Sequence, residues 1–155
     1  MQYARRVRYR IAQLNIGTVR YPLESAEMHG FVSALDEINA LAESSPGFRW
    51  RLTGDGNDAT SLRPYDDDRI IVNMSVWDNL ETLKNYVYNS AHTDYLRRRK
   101  EWFAAMRDAY TVLWWIPEGH TPTVAEAVER LEHLRAHGST PYAFAFREPH
   151  PAPEQ

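Results

Sequence analysis

Apolar positions along this chain recur with either a helical or an alternating period, and the switches between the periods lay out the elements. Residues 9–16 are predicted as a first strand. Over residues 28–42, Met28, Phe31, Val32, Leu35, Ile38 and Ala42 return every third or fourth position, one stripe of an α-helix. Ser45-Pro46-Gly47 stops that helix, because proline and glycine do not comfortably extend a last turn. Phe48, Trp50 and Leu52 then alternate with Arg49, Arg51 and Thr53, as in a half-buried strand. Residues 54–68 form a long polar connection, and residues 70–77 give the strongest strand pattern. Asp78 and Glu81 form a capping pair that opens a helix through about residue 89, followed by a second helical segment over residues 92–106. Residues 110–116 are a strand ended by Pro117. Thr123 and Glu126 repeat the capping signature for a helix carrying Val124, Ala127, Val128, Leu131 and Leu134, closed by Gly138. A short strand over residues 142–146 ends the pattern.

The resulting class is α+β: a ferredoxin-like β-α-β-β-α-β order with an added helix and strand. No linker or repeat interrupts residues 1–155, so they read as one domain with a core over about 9–146 and a Pro-rich tail at 149–155. On the central strand Ile70, Val72, Met74 and Val76 share one face, and Ile71, Asn73, Ser75 and Trp77 the other. A ferredoxin-like sheet carries helices on one side only, so its second side needs a cover. A second copy of the chain is expected to supply it, which makes a homodimer.

Composition narrows the partners. Apolar residues make up 43% and charged residues 25%, a globular balance, and the net charge of −3 gives no general attraction for phosphate backbones or anionic membranes. Basic runs at Arg5-Arg6 and residues 97–100 are offset by Asp66-Asp67-Asp68. Nucleic acid and membrane are therefore not expected as partners. With no cysteine, disulfides, thiolate catalysis and Cys-held metals are out of reach. No apolar h-region follows Met1 and no apolar run approaches a membrane span, so a cytoplasmic location is expected. Nine Tyr, five Trp and five Phe suggest a dense core or an aromatic-lined cavity for a small molecule.

The candidate chemistry gathers on residues 70–103. His92 shares a helical stripe with Tyr95, Leu96, Arg99, Trp102, Phe103 and Met106. There a neutral imidazole can act as a general base or an iron ligand, or can simply cap its helix. Arg99 can grip a carboxylate or phenolate in a bidentate manner, or lay its stem over the core with the head in water. Asn39 projects into the apolar stripe of the first helix, as a bridge to a strand or as a pocket group. Asn15 and Asn73 lie on strands and can turn amide donors toward a developing anion, though Asn73 can equally fix register inside a dimer. Arg97, Arg98 and Lys100 are predicted as a wet helix face. Trp77, Trp114 and Trp115 are predicted in core and interface. His133 and His137 stand four apart, but beside Glu126, Glu129 and Arg130 they project to the surface, so no metal site is predicted. No phosphate-binding glycine loop, serine elbow or H-E-x-x-H helix occurs.

Ser45-Pro46-Gly47-Phe48, Asn73-Met74-Ser75-Val76-Trp77, His92 with Leu96-Arg97-Arg98-Arg99, and Gly119-His120-Thr121-Pro122-Thr123 together resemble domain-of-unknown-function family 3291. The resemblance implies the dimeric α+β barrel superfamily, which includes metal-free antibiotic-biosynthesis monooxygenases and haem-degrading monooxygenases. By that resemblance Asn15, Tyr86 and His92 stand nearest to the haem degraders' Asn, aromatic and haem-ligating His, with Tyr86 in place of the usual Trp.

These readings converge on a pocket between helices and sheet. The first expectation is a monooxygenase-like enzyme for an aromatic or apolar metabolite. His92, Arg99 and Asn15 are its catalytic candidates, and Tyr86, Tyr95, Trp102, Trp77, Asn73 and Asn39 contact the substrate. The second fills the pocket with haem b on His92. The third is a non-catalytic ligand-binding dimer.

Overall fold

The computed structural model describes residues 6–54, 56–90 and 92–154. Met1 to Arg5, where no leader is expected and where the Arg5-Arg6 run begins, lie outside them, as does Gln155 at the end of the tail. Strand β1 (Tyr9–Thr18) leads through a single 3₁₀ turn into α1 (His29–Ser44), then β2 (Phe48–Arg51) and β3 (Ile70–Trp77). Helices α2 (Leu80–Asn89), α3 (His92–Arg97) and α4 (Arg99–Trp102) precede β4 (Thr111–Pro117) and α5 (Val124–His137). The strands form one antiparallel sheet in the order β2-β3-β1-β4, the ferredoxin-like arrangement of an α+β fold.

Several boundaries moved for local reasons. Helix α2 is capped by Asn79, whose side chain accepts from the Thr82 amide in a full capping box, and not by the Asp78–Glu81 pair. Asp78 instead pairs with Arg49 across the β2 side. The helix expected over 92–106 breaks at Arg98 and ends at Trp102, where Phe103 turns extended and bridges Val19. No strand forms over 142–146; a single bridge joins Leu113 to Phe144. Thr123 caps α5 as its pattern indicates, and Gly138 closes it in the left-handed region at φ +75°.

The second face of the sheet is covered from within the chain. Ala12, Leu14 and Ile16 lie on it with Val72, Met74, Val76, Val112 and Trp114, and Ala127, Leu131 and Leu134 of α5 pack over them. The polar connection adds Ala59, Leu62 and Tyr65 to the same cluster. Each buried Val, Leu, Ile or Met among them gives about 1.5–3 kcal/mol when taken from water, which favours the cover that α5 and the connection supply. A second copy is not required to bury it. Among the described residues no helix is long and apolar enough to cross a membrane.

Gly47 fixes how α1 enters β2. It sits at φ +86°, and a Cβ there would stand 2.5 Å from the Thr82 side chain, inside the cap of α2. Gly47→Ala is expected to cost about 1–3 kcal/mol, read as a lowered urea midpoint; an unchanged midpoint would mean that the turn relaxes freely.

Candidate functional site

The first face of the sheet is unusual for a surface packed under helices, because its centre is polar. Side-chain alternation puts Gln13, Asn15 and Gly17 of β1 on this face, and register sets Gln13 opposite Ser75 and Asn15 opposite Asn73 and Thr111. Gln13 and Ser75 are buried and need partners, and they find them in one another and in the more exposed Asn73. Gln13 Nε2 donates to Asn73 Oδ1 at 2.9 Å and to Ser75 Oγ at 2.8 Å. Ser75 Oγ also accepts from Trp77 Nε1 at 2.9 Å, and Asn15 Nδ2 donates to Thr111 Oγ1 at 2.7 Å.

Above this polar floor is a cavity of about 380 Å³, within the range of small-molecule sites. Helix α1 contributes Phe31, Leu35, Ile38 and Asn39 to its wall, and α2 contributes Leu83 and Tyr86. His92, Tyr95 and Arg99 complete it from α3 and α4. Asn39 is 7% exposed, and its amide makes no side-chain hydrogen bond among the described residues. The bridge to a strand that is one option for Asn39 is therefore not made, and Asn39 is a cavity group.

His92 faces the cavity and is also tied to the backbone. Its Nδ1 lies 3.2 Å from the Val87 carbonyl; an oxygen there can only accept, so Nδ1 carries the proton and Nε2 keeps its lone pair. The ring lies between those of Tyr86 and Tyr95, at centroid distances of 4.8 and 5.7 Å. Burial holds the imidazole below its ordinary value, against the opposing pull of the Val87 carbonyl, which favours the charged form. Burial also pushes the phenols of Tyr86 and Tyr95 well up, so both stay protonated. Tyr86 donates to the Ile38 carbonyl at 3.3 Å, which joins α2 to α1.

Two arginines line the cavity: Arg51, which pairs with Glu43, and Arg99, which meets no carboxylate among the described residues. Arg99 Nη1 donates to Asn15 Oδ1 at 3.3 Å and its Nη2 to the Ile16 carbonyl at 3.0 Å. The guanidinium lies 4.7 Å from the ring centroids of both Phe103 and Tyr110. Burial lowers its affinity for the proton, with Tyr110 and Tyr95 opposing, yet an arginine remains charged at neutral pH. Gly17 allows this approach, because a Cβ there would stand 2.6 Å from the Phe103 ring.

The structure thus brings His92, Arg99, Asn15, Asn73, Asn39, Tyr86 and Tyr95 to one cavity. It does not bring Trp77 and Trp102 to the cavity surface. Trp77 stacks behind Tyr86 at 4.9 Å, and Trp102 lies 5.5 Å from Tyr95, so each supports a wall residue instead of touching a ligand. Gln13, Ser75 and Thr111 were missed, although two-residue alternation with Asn15 and Asn73 marks their face. His133 bonds Thr140 at 3.0 Å beside His137, and no described group of three or more potential ligands could hold a metal.

Comparison with solved structures finds likenesses of fold at low identity. SnoaB, a cofactor-independent oxygenase from Streptomyces nogalater, is 18% identical over 76% of this chain and 98% of its own, with a TM-score of 0.45. NE2512, a protein of unknown function from Nitrosomonas europaea, is 7% identical over 74% and 94%, with a TM-score of 0.46. The heme-degrading protein Rv3592 from Mycobacterium tuberculosis is 14% identical over 75% and 98%, with a TM-score of 0.39. No curated protein matches the chain. A family model does match, over residues 10–155: the chain belongs to the family described as Domain of unknown function (DUF3291).

Proposed function

We propose that the chain is a small monooxygenase-like enzyme acting on an aromatic metabolite in the cavity over Gln13 and Asn15. The observation that carries this reading is a half-buried, neutral His92 with a free Nε2 in the same cavity as a half-buried Arg99 that meets no carboxylate among the described residues. A base and a cation so placed suit a substrate that loses a proton and becomes an anion. His92 takes the proton from an acidic C–H or O–H. Arg99, with the Asn15 amide beside it, faces the resulting enolate or phenolate, and Tyr86 and Tyr95 flank the ring. Such an anion is electron-rich enough to reduce dioxygen without further help: a CH₂ becomes C=O, and the second oxygen atom leaves as water with both hydrogens.

The test is oxygen uptake by the purified protein with a panel of polycyclic phenols and quinols under ¹⁸O₂. One labelled atom per product molecule is expected. If no compound is consumed faster than in buffer, while some raise the melting temperature, the protein is a ligand-binding module instead.

Haem b is the second candidate occupant, and the residues fit it only in part. The His92 donor set suits an axial ligand, since a carbonyl-bonded Nδ1 orients Nε2 outward. The surroundings do not suit the rest of the group. A cavity of about 380 Å³ is near the lower end for drug-sized ligands, and a macrocycle with two propionates is larger. Arg51 on its rim is already held by Glu43 and Asn57. Titration with haemin is expected to give no sharp Soret band that His92→Ala abolishes; such a band would reverse this conclusion.

A further inference from the structure

A second cavity of about 330 Å³ adjoins the first, and its chemistry is different. It is lined by Arg20, Arg97, Arg99 and Lys100 together with Phe103 and Tyr110, and among the described residues no acidic one lines it. The cations arrive from distant parts of the chain. Beyond β1, Val19 bridges Phe103, and the Arg20 amide donates to the Trp102 carbonyl at 2.8 Å, which sets Arg20 against α4. Arg20 Nε donates to the Phe103 carbonyl at 3.1 Å, and its terminal nitrogens have no partner among the described residues. Lys100 likewise has none. Arg97 reaches Asp94 at 3.3 Å, but both side chains are nearly four-fifths exposed, so that pair neutralises little.

Four cations around one concavity repel each other, and the chain as a whole carries −3. A positive hollow on a negative protein focuses its field on small anions. The partition between the two cavities consists of side chains: Leu96, Arg99, Phe103 and Tyr110 line both. Arg99 stands in that partition with its guanidinium 4.7 Å from the centroids of both the Phe103 and Tyr110 rings, and Tyr110 is 37% exposed.

We infer that the basic cavity binds an anionic group, a carboxylate or a phosphoryl group, borne by the same molecule whose aromatic body fills the main cavity. This inference rests on the main cavity being a binding site for aromatic molecules, as in the proposed function, and it narrows the substrate to an aromatic acid or an aromatic phosphate ester. Arg97 and Lys100 are the recognition residues on the open side. Arg99 contacts the ligand where the ring joins its acidic arm.

Calorimetric titration with three naphthalene probes tests this: 1-naphthyl phosphate, 1-naphthaleneacetate and the neutral 1-naphthaleneacetamide. At low salt both anions are expected to bind roughly tenfold or more tightly than the amide, an advantage that declines as sodium chloride is added. If the phosphate alone gains, the group is phosphoryl; if both gain alike, a carboxylate suffices. In the Arg97→Gln, Lys100→Gln double variant, altered only at exposed positions, the three affinities are expected to converge while the amide is unchanged. Equal binding of all three probes to the wild type overturns the anion site and leaves the aromatic cavity intact. No binding by any probe overturns both. Anion preference that survives the double variant unchanged also overturns the assignment.

Discussion

Trp77→Ala is expected to lower the stability of the protein by about 3–5 kcal/mol, the cost of deleting a large aromatic from a packed interior. The ring is 0% exposed, stacks on Tyr86 at 4.9 Å and meets Phe48 edge-on at 5.4 Å. Its Nε1 gives one of the two hydrogen bonds that Ser75 Oγ accepts, so truncation also unsettles the Gln13 network on the cavity floor. For a chain of this size the melting temperature is expected to fall by roughly 10 °C. Trp77→Phe keeps much of the volume and loses the N–H donor, so a clearly smaller loss is expected. Urea denaturation of both variants measures the difference. A loss below about 1 kcal/mol for the alanine variant would contradict the packing described. Because Tyr86 rests on Trp77 and His92 rests on Tyr86, ligand affinity should weaken together with stability.

The largest effect on turnover is expected at His92. If this imidazole is the base, His92→Phe lowers oxygen-dependent turnover of any substrate found by about 10²–10⁴-fold, the usual worth of a positioned acid–base group. His92→Asn keeps a polar group at the position and serves where the phenylalanine variant folds poorly. Substrate affinity that falls as far as turnover would instead assign His92 to binding.

The acid side gives a second readout with a definite sign. Burial lowers the folded-state value of His92, so the folded protein favours the neutral ring. Its contribution is fully present above the ordinary imidazole value of about 6.5 and is lost as pH falls from there toward the lowered folded value. Urea midpoints of the wild type are therefore expected to drop on acidification below that point more steeply than those of His92→Phe. For the same reason the base stays unprotonated, and turnover persists, to a lower pH than a solvated histidine would allow. Parallel midpoint curves for the two proteins would sink the buried-imidazole reading.

Much of the cavity was legible along the chain because alternation in a strand reports which side chains share a face. Asn73 falls with Ser75 and Trp77 by counting, and the helical stripe through His92, Tyr95 and Arg99 assembles one wall in the same way. What counting cannot supply is the identity of the neighbour. Periodicity turns Trp77 and Trp102 inward, but Tyr86 and Tyr95 from other turns stand in front of them, so neither reaches the cavity surface where substrate contact is expected of it. Arg97 and Lys100 form an exposed helix face, as read. Only the bridge from Val19 to Phe103 sets Arg20 beside them and makes that face one side of a cavity.

Local periodicity, with turn residues such as Gly47 and Gly138, is enough to give the order of the four sheet strands, the ferredoxin-like class and the two faces of each central strand; it does not give the break at Arg98 or the missing strand over 142–146. Tertiary structure decided which segments cover those faces. The apolar side that periodicity left bare is closed by α5 and the 52–69 connection of the same chain, and the polar side is roofed by α1 to α4, leaving room for a ligand. The physical reason is that burying apolar surface is non-directional: periodicity states that a face must be covered, whereas chain length, turn geometry and packing select what covers it.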